Sequence, residues 1–348
     1  MKVLYYPLIQ QQLISSTQAG DYLTDTLFHG LRSVLGEDLV DGYKMWHLYD
    51  TAEKNILSKM WGKGFTTYGL LPDIEVDRYD IGKKIQHKYF DYVVCHTMVQ
   101  DWAATRVVIE KLLEHYPAKR VCLVDGWDRP HTDTSLMSLV PFFKREINEK
   151  TKKAKPISFS LPKEKIRPLP TEKKEFDFAP LVPAYGHFDD PHMESYIYES
   201  EEDYYDMYTN SYFAYTCKKG REDNIEESWD CMRHYEILAA GSIPYFTDIE
   251  KCPEKTMSFF PKLLCEYVKK LEGVHPGTKE KFDAQKDTFI GTSKAIKPGE
   301  ERGYIDHNKF DFDLYQEILD DFRKYTERYL TTESMAKYLL EEMKKCSE

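Results

Sequence analysis

Short apolar runs alternate with amphipathic segments through the first 150 residues of the chain. Residues 3–6, 92–95 and 121–124 are such runs, and their length is typical of strands that are buried on both faces. Two further segments, 21–35 and 102–115, carry apolar residues at helical spacing. Strands that alternate with helices predict an α/β fold, with a parallel sheet and right-handed crossovers.

The second half resumes this alternation after a lysine- and proline-rich stretch at 149–174, which contains one apolar run at 157–161 that we interpret as a strand. A strand is predicted at 212–217, and a helix at 229–240 with Ser228 as its N-cap and Gly241 at its end. The other predicted elements are helices at 201–210, at 257–271 and from 312 onward, with a break at 331–332, and a strand at 243–246. We expect domains at 1–150 and 176–310, a crossing segment at 151–175, and C-terminal helices at 311–348.

Composition narrows the class of protein. The 348 residues carry 48 Lys and Arg against 59 Asp and Glu, a net charge of −11 that argues against broad affinity for nucleic acid or anionic lipid. Aromatic residues make up 14% of the chain, which indicates a folded protein, because disordered chains are depleted in them. No run approaches the roughly 18 apolar residues of a membrane helix. The apolar run at the start is interrupted by Pro7 too early for a signal peptide. No C-x-x-C pair occurs among the seven cysteines. We therefore expect a cytoplasmic protein with reduced thiols and no membrane insertion.

The stretch 218–236 is the most informative for function. Lys218 and Lys219 follow a predicted strand, and Arg233 lies about one turn into the predicted helix. The N–H groups and partial positive charge of a helix N-terminus, together with these cations, suit a diphosphate. Glu236, three residues further, could accept hydrogen bonds from both hydroxyls of a ribose. The same residues also fit an exposed turn and a surface ion pair, and acidic residues at 222–227 place negative charge nearby.

The segment 211–246 resembles the donor-site helix of GT-B glycosyltransferases. Its pattern R-x-x-E-x-L-x-x-G-x-I-P is most similar to the exostosin-like branch and its uncharacterised bacterial and viral relatives. Other similar pieces lie at 21–25, 29–31, 124–128 and 143–146. The resemblance implies two Rossmann-like domains that face each other across a cleft, with the acceptor side in the N-terminal domain and the nucleotide-sugar donor in the C-terminal one.

By position, the resemblance assigns a role to each residue of the donor motif. Glu236 would bind the donor ribose, and Arg233 with Lys218 or Lys219 would face the diphosphate. Relatives often have glycines where this chain has 221–228, so the resemblance does not decide which of the two lysines takes this role. Trp229 and Gly241 belong to the same motif. The resemblance also implies a glycan or protein acceptor, and no cofactor or metal beyond the nucleotide sugar itself.

An inverting enzyme of this kind needs a base within hydrogen-bond reach of the acceptor. Asp128 is our first candidate, followed by Asp125, Asp21 and His131, because these residues lie in the N-terminal half beside the expected cleft. Two of them have plain structural alternatives: Asp125 also fits a simple turn, and Asp21 fits a helix N-cap.

Three further residues have alternative interpretations. Lys144 or Arg145 either assists the phosphate, anchors a hinge between the two halves, or is a solvated residue at a helix end. His96, which follows the run 92–95, either faces the cleft or is a hydrogen-bonded core histidine. No metal site is predicted, because 125–133 lacks the ligand period of a calcium loop and a fourth zinc ligand.

We therefore expect a glycosyltransferase that transfers a hexosyl or pentosyl group in glycan synthesis. Two alternatives stay open: a catalytically silent module of the same fold that binds glycan or protein, and an enzyme that glycosylates modified DNA bases, which the charge of −11 disfavours. Tyrosines crowd the stretch 185–215. Their rings suit sugars and nucleobases, although packing in the core is the simpler explanation for most of them.

Overall fold

Two parallel β-sheets organise the chain. The computed structural model describes residues 1–8, 21–97, 101–179, 198, 200–218, 228–246, 248–276 and 303–347. The first sheet has the strand order β2-β1-β3-β4-β5-β6, and every pairing in it is parallel. The predicted α/β class and parallel sheet are confirmed.

The elements of the first half surround this sheet. Its strands are β1 (Val3–Pro7), β2 (Leu39–Asp41), β3 (Tyr92–Thr97), β4 (Val121–Asp125), β5 (Phe142–Lys144) and β6 (Lys155–Pro156). Its helices are α1 (Tyr22–Leu35), α2 (Lys54–Leu57), α3 (Ile81–Gln86) and α4 (Trp102–Leu113). The local signals for α1 are confirmed: Asp21 caps it by accepting a hydrogen bond from the Thr24 N–H, and the helix ends at Gly36, which has a positive φ of 57°.

The second sheet has the order β7-β8-β9 and is also parallel. Its strands are β7 (Phe176–Ala179), β8 (Ser211–Thr216) and β9 (Ile243–Phe246), and the helices that precede β8 and β9 are α5 (Glu201–Thr209) and α6 (Met232–Ala239). The chain continues with α7 (Lys262–Val268), the antiparallel pair β10 (Val274–His275) and β11 (Tyr304–Ile305), α8 (Phe312–Tyr329) and α9 (Thr332–Ser347).

The prediction for the start of α6 is wrong. The helix begins at Met232, three residues later than expected, and its N-cap is Cys231 rather than Ser228. The reason lies in tertiary contacts of Asp230, whose N–H donates to Glu146 and whose carboxylate accepts from the Phe159 N–H. These bonds hold the residues before Met232 outside the helix.

Two other predicted elements differ from the structure. No strand forms at 157–161; the strand in this region is the short β6, directly before it. The N–H of Phe159 donates to the Asp230 side chain and that of Leu161 to the Leu330 carbonyl, so neither pairs with a neighbouring strand. The helix expected at 257–271 is shortened to α7. Met257 adopts a positive φ of 50°, and α7 begins directly after Pro261.

The C-terminal helix returns to the first half, where it packs against α1. A Cβ on Gly30 would lie 1.9 Å from the Thr332 carbonyl oxygen, so only glycine permits this approach. The His29 Nδ1 and the Thr332 hydroxyl are 2.9 Å apart in a buried hydrogen bond. One apolar cluster runs without a break from α1 to the second sheet through the crossing segment. Among the described helices, none combines the length and apolar character needed to cross a bilayer.

Candidate functional site

The carboxyl ends of the two sheets contact each other through Arg145. This residue directly follows β5, and its guanidinium donates to the carbonyl of Gly126, which directly follows β4, at 3.1 and 3.2 Å. It also donates to the carbonyl of Asp230, just before α6, at 2.5 Å. Its guanidinium lies over the ring of Phe159 at 4.5 Å. Arg145 thus ties the edge of the first sheet to the segment that leads into the donor motif.

A buried acidic pair completes this junction. The N–H of Asp230 donates to a Glu146 oxygen at 2.9 Å, and the Asp230 carboxylate accepts from the Phe159 N–H at 2.8 Å and the Tyr235 hydroxyl at 2.7 Å. Burial raises the pKa of Glu146 to about 8, although the nearby Arg145 opposes the rise. Burial alone would lower the pKa of Arg145, but the surrounding carboxylates, Asp128 first, raise it instead.

The predicted bases lie near this junction in different surroundings. Asp128 is ion-paired with Arg145, and 49% of its side chain is exposed. Asp125 is fully buried, with one carboxylate oxygen 2.7 Å from the Lys144 ammonium. Burial has the largest effect on the pKa of each partner: it raises the pKa of Asp125 and lowers that of Lys144. The attraction between the two charges opposes both shifts. Lys144 therefore points to Asp125 rather than outward, and His131 is exposed.

Asp21 and His96 meet at the start of α1. The Asp21 carboxylate accepts from the N–H and the hydroxyl of Thr24, at 3.0 and 2.7 Å, as an N-cap does. The same hydroxyl lies 2.8 Å from Nδ1 of His96, which is fully buried. Burial lowers the pKa of His96 to about 4, against the influence of Asp21. Asp21 and His96 thus lie close together at the carboxyl edge of the sheet, where β3 ends.

The donor motif lies at the carboxyl end of β8. The Arg233 guanidinium donates to the Thr216 hydroxyl and the Cys217 carbonyl, both at 3.1 Å, and the residue is buried. Lys218 is adjacent in sequence, with its ammonium 5.3 Å from the centre of the Trp229 ring. The structure therefore brings Arg233, Lys218 and Trp229 together, while Gly241 lies at the other end of α6 with φ 77°. Lys219 and the acidic residues at 222–227 lie outside the described residues.

Both carboxylate oxygens of Glu236 accept hydrogen bonds from protein hydroxyls. Thr66 donates to Oε1 at 2.5 Å, and Tyr204 donates to Oε2 at 2.6 Å. Glu236 is fully buried, and burial raises its pKa, while the two hydroxyls oppose the rise. The carboxylate that was expected to bind a ribose thus already holds two hydroxyl groups.

A loop that the sequence patterns do not predict reaches Glu236. Positive φ angles recur along it at Gly62, Lys63, Gly64, Thr66 and Gly69. Thr66 has φ 76°, an unfavourable value for a β-branched residue, and is held by its bond to Glu236 and by the Glu201 carboxylate, which accepts from its N–H at 2.7 Å. Three glycines within 62–69 are the signal that indicates such a loop.

A second missed feature is a buried acid–base pair. The Asp25 carboxylate lies 2.8 Å from Nε2 of His47, and both residues are less than 5% exposed. Nδ1 of His47 has no hydrogen-bond partner among the residues that the structure describes. The ring of Tyr68 packs edge-on against His47 at 4.9 Å, so the loop that holds Glu236 also covers this pair. Asp25 also lies in the first turn of α1, where the helix dipole stabilises a negative charge, so its presence in the sequence did not by itself indicate a functional site.

The crowded tyrosines are core residues where the structure describes them. All six described members of the group are buried: Tyr198, Tyr204, Tyr205, Tyr208, Tyr212 and Tyr215. Tyr196 lies outside the described residues. Packing is therefore the better interpretation, and the Tyr204 hydroxyl links this group to Glu236.

Comparison with known proteins adds no relative: no protein-family model and no curated protein matches the sequence. In the part of the chain that the structure describes, no group of three or more His, Cys, Asp or Glu side chains is arranged to bind a metal ion.

Proposed function

We propose that the protein is a glycosyltransferase, which moves a sugar from a nucleotide-sugar donor to an acceptor hydroxyl. One observation carries the proposal: Arg233, within the motif that resembles a GT-B donor site, bonds the end of β8 beside Lys218. Ligands of parallel sheets bind at this edge. Two sheets whose carboxyl ends meet at Arg145 and Asp230 suit the two Rossmann-like domains of that fold.

The proposed chemistry needs positive charge near the leaving group. As the bond to the anomeric carbon breaks, negative charge grows on the departing nucleoside diphosphate. Arg233 and Lys218 would stabilise this charge as cations that are already in place, and no metal is required for that. Because Arg233 is held by the Thr216 hydroxyl and the Cys217 carbonyl, its position is fixed before the donor binds.

Glu236 would bind the ribose by exchanging partners. A ribose presents two neighbouring hydroxyls, the same kind of donor that Thr66 and Tyr204 now present to the two oxygens. Donor binding then requires the loop that carries Thr66 to withdraw from Glu236. The unfavourable φ of Thr66 is consistent with a contact that can be given up, since its release relieves the strain.

Two candidates for the base follow from their surroundings. Asp128 keeps a half-exposed carboxylate, whereas Asp125 is bonded to Lys144 and Asp21 caps α1. His47 is the second candidate, because Asp25 orients its Nε2 and no described residue bonds its Nδ1.

A catalytically silent module that binds glycan or protein is the second candidate function. The saturated and buried carboxylate of Glu236 favours it, because such a group can be purely structural. The two functions differ in turnover. A glycosyltransferase hydrolyses or transfers from at least one of UDP-, GDP- or ADP-sugars, and the silent module from none of them.

The experiment is a release assay for nucleoside diphosphate with each donor, alone and with oligosaccharide, protein or DNA containing modified bases as acceptor. We expect activity in the wild type with an oligosaccharide or protein, its loss in Arg233→Met, and its retention in Glu250→Gln, which alters a carboxylate outside the site. Absence of turnover with every donor, from a protein that unfolds cooperatively, contradicts the proposal; activity only with DNA would instead select the nucleic-acid alternative.

A further inference from the structure

Two cationic side chains lie together at the amino end of the second sheet, away from the donor motif. Lys174 is two residues before β7, and its ammonium donates to the carbonyls of Ser211, at 2.9 Å, and Gly241. Arg323, on α8, also lies beside Gly241: its Nη2 is 3.6 Å from the position that a Cβ on Gly241 would occupy. Ser211 and Thr216 are at opposite ends of β8, five residues or about 17 Å apart, so these two cations lie far from the donor motif.

None of the described residues supplies an acceptor to the inner edge of the Arg323 guanidinium. Its Nε and Nη2 are both buried, and neither has a hydrogen-bond partner in the part of the chain that the structure describes. These two nitrogens form the side of the guanidinium that binds two oxygens of one anion at once. Buried donors without an acceptor are costly, so this edge calls for a specific explanation.

In the described part of the chain, no carboxylate compensates this pair of charges at close range. Among the described residues, neither Lys174 nor Arg323 is in ion-pair contact with an acidic side chain; Asp320 and Glu327, on α8, act on Arg323 only from a distance. Burial, followed by the positive charge of Arg323, lowers the pKa of Lys174 to about 7. The two cations therefore repel each other in a place where an anion would relieve the repulsion.

We propose that Arg323 and Lys174 form a binding site for a phosphate group. Two phosphate oxygens accept from Nε and Nη2 of Arg323, and a third accepts from the ammonium of Lys174. A carboxylate has only two oxygens and would satisfy this set of donors less completely. Gly241 lies beside these donors, and its φ of 77° disfavours any residue with a side chain there, while Leu169 and Pro170 lie 3.2 and 3.5 Å from the position of its missing Cβ.

The proposal is independent of the glycosyltransferase activity, and its test does not involve turnover. Thermal unfolding is measured at constant ionic strength while chloride is replaced by inorganic phosphate, by glycerol 3-phosphate or by acetate. A ligand that binds only the folded state raises the unfolding midpoint. We expect inorganic phosphate to raise the midpoint of the wild type, and acetate to raise it less.

Two variants on α8 locate the effect. Arg323→Met removes the proposed donors, and Arg328→Met is the matched control, because Arg328 is an exposed arginine whose guanidinium lies over the ring of Tyr329. The phosphate response should survive in Arg328→Met and disappear in Arg323→Met. An equal response in both variants, no response in the wild type, or a response to acetate as large as that to phosphate would overturn the proposal.

A spectroscopic measurement on the wild type covers the case in which Arg323→Met does not fold. The Nε–Hε resonance of Arg323 should shift in a saturable way as phosphate is added, and the corresponding resonance of Arg328 should not. A stationary Arg323 resonance contradicts the proposal. A response to glycerol 3-phosphate as well as to inorganic phosphate would show that the site accepts monoesters, and a response to inorganic phosphate alone would restrict it to the free ion.

Discussion

The Thr66 hydroxyl donates a 2.5 Å hydrogen bond to the carboxylate of Glu236, although 170 positions of sequence separate the two residues. Thr66 comes from a glycine-rich loop of the first half, and Glu236 from the helix that carries the donor motif. This bond, and that of Arg145 to the Asp230 carbonyl, join the two halves of the chain at the edges where both sheets end.

Replacing Thr66 should measure how much this contact stabilises the fold. Thr66→Val keeps the shape and the strained φ but removes the hydroxyl, which leaves the buried Glu236 one donor short. We expect the free energy of unfolding in urea to fall by about 1–3 kcal/mol. Thr66→Ser retains the hydroxyl and should recover most of this loss. Equal stability of Thr66→Val and the wild type would show that the bond contributes nothing.

Gly30 should be intolerant of any side chain. In Gly30→Ala the new Cβ would overlap the Thr332 carbonyl oxygen, so α1 and α9 must separate, at a cost of about 1–3 kcal/mol. Gly82→Ala is the control, since the nearest atom to its new Cβ is 4.0 Å away and alanine favours a helix. Chemical denaturation should therefore show a loss for the first variant and no loss for the second. A stable Gly30→Ala protein would refute the tight crossing.

His96 should make the fold more stable as pH rises from about 4 to 6.5. Burial lowers its pKa from 6.5 to about 4, so in this window the unfolded chain binds a proton that the folded protein does not. The free energy of unfolding, relative to that of His96→Gln, should rise by roughly 3 kcal/mol across the window and stay constant above it. A pKa near 6.5 for His96, measured by NMR in the folded protein, would exclude this behaviour.

Glu146 should act in the opposite direction. Its pKa is raised from 4.5 to about 8, so between these values the folded protein keeps a proton that the unfolded chain has released. Stability relative to Glu146→Gln should consequently decrease as pH rises through this window. The glutamine retains an oxygen that can accept from the Asp230 N–H, so the comparison isolates the titration. A stability difference that does not vary with pH would show that Glu146 is ionised throughout.

Local signals predicted those elements that depend on local interactions. The periodicity of α1, its cap at Asp21 and its end at Gly36 all lie within one stretch of sequence, and the structure has them as expected. The start of α6 was mistaken because Asp230 is held by Glu146 and Phe159, and no local pattern reports bonds to residues so far along the chain.

The candidate site shows the same division. The convergence of Asp125, Asp128 and His96 followed from the rule that parallel strands end at one edge. The pairing of Lys144 with Asp125 and of His47 with Asp25 did not, because the direction of a side chain depends on packing that spacing does not encode.

Calorimetric titration of the folded protein with UDP, GDP, ADP and their sugars tests the central claim most directly. The account predicts that at least one of these ligands binds, and that Arg233→Met and Glu236→Gln each weaken its affinity about tenfold or more, as the loss of a charged hydrogen bond does. Glu250→Gln should bind as the wild type does. A wild-type protein that binds none of the panel, or one whose affinity is unchanged in Arg233→Met and Glu236→Gln, would contradict a nucleotide-sugar site at α6.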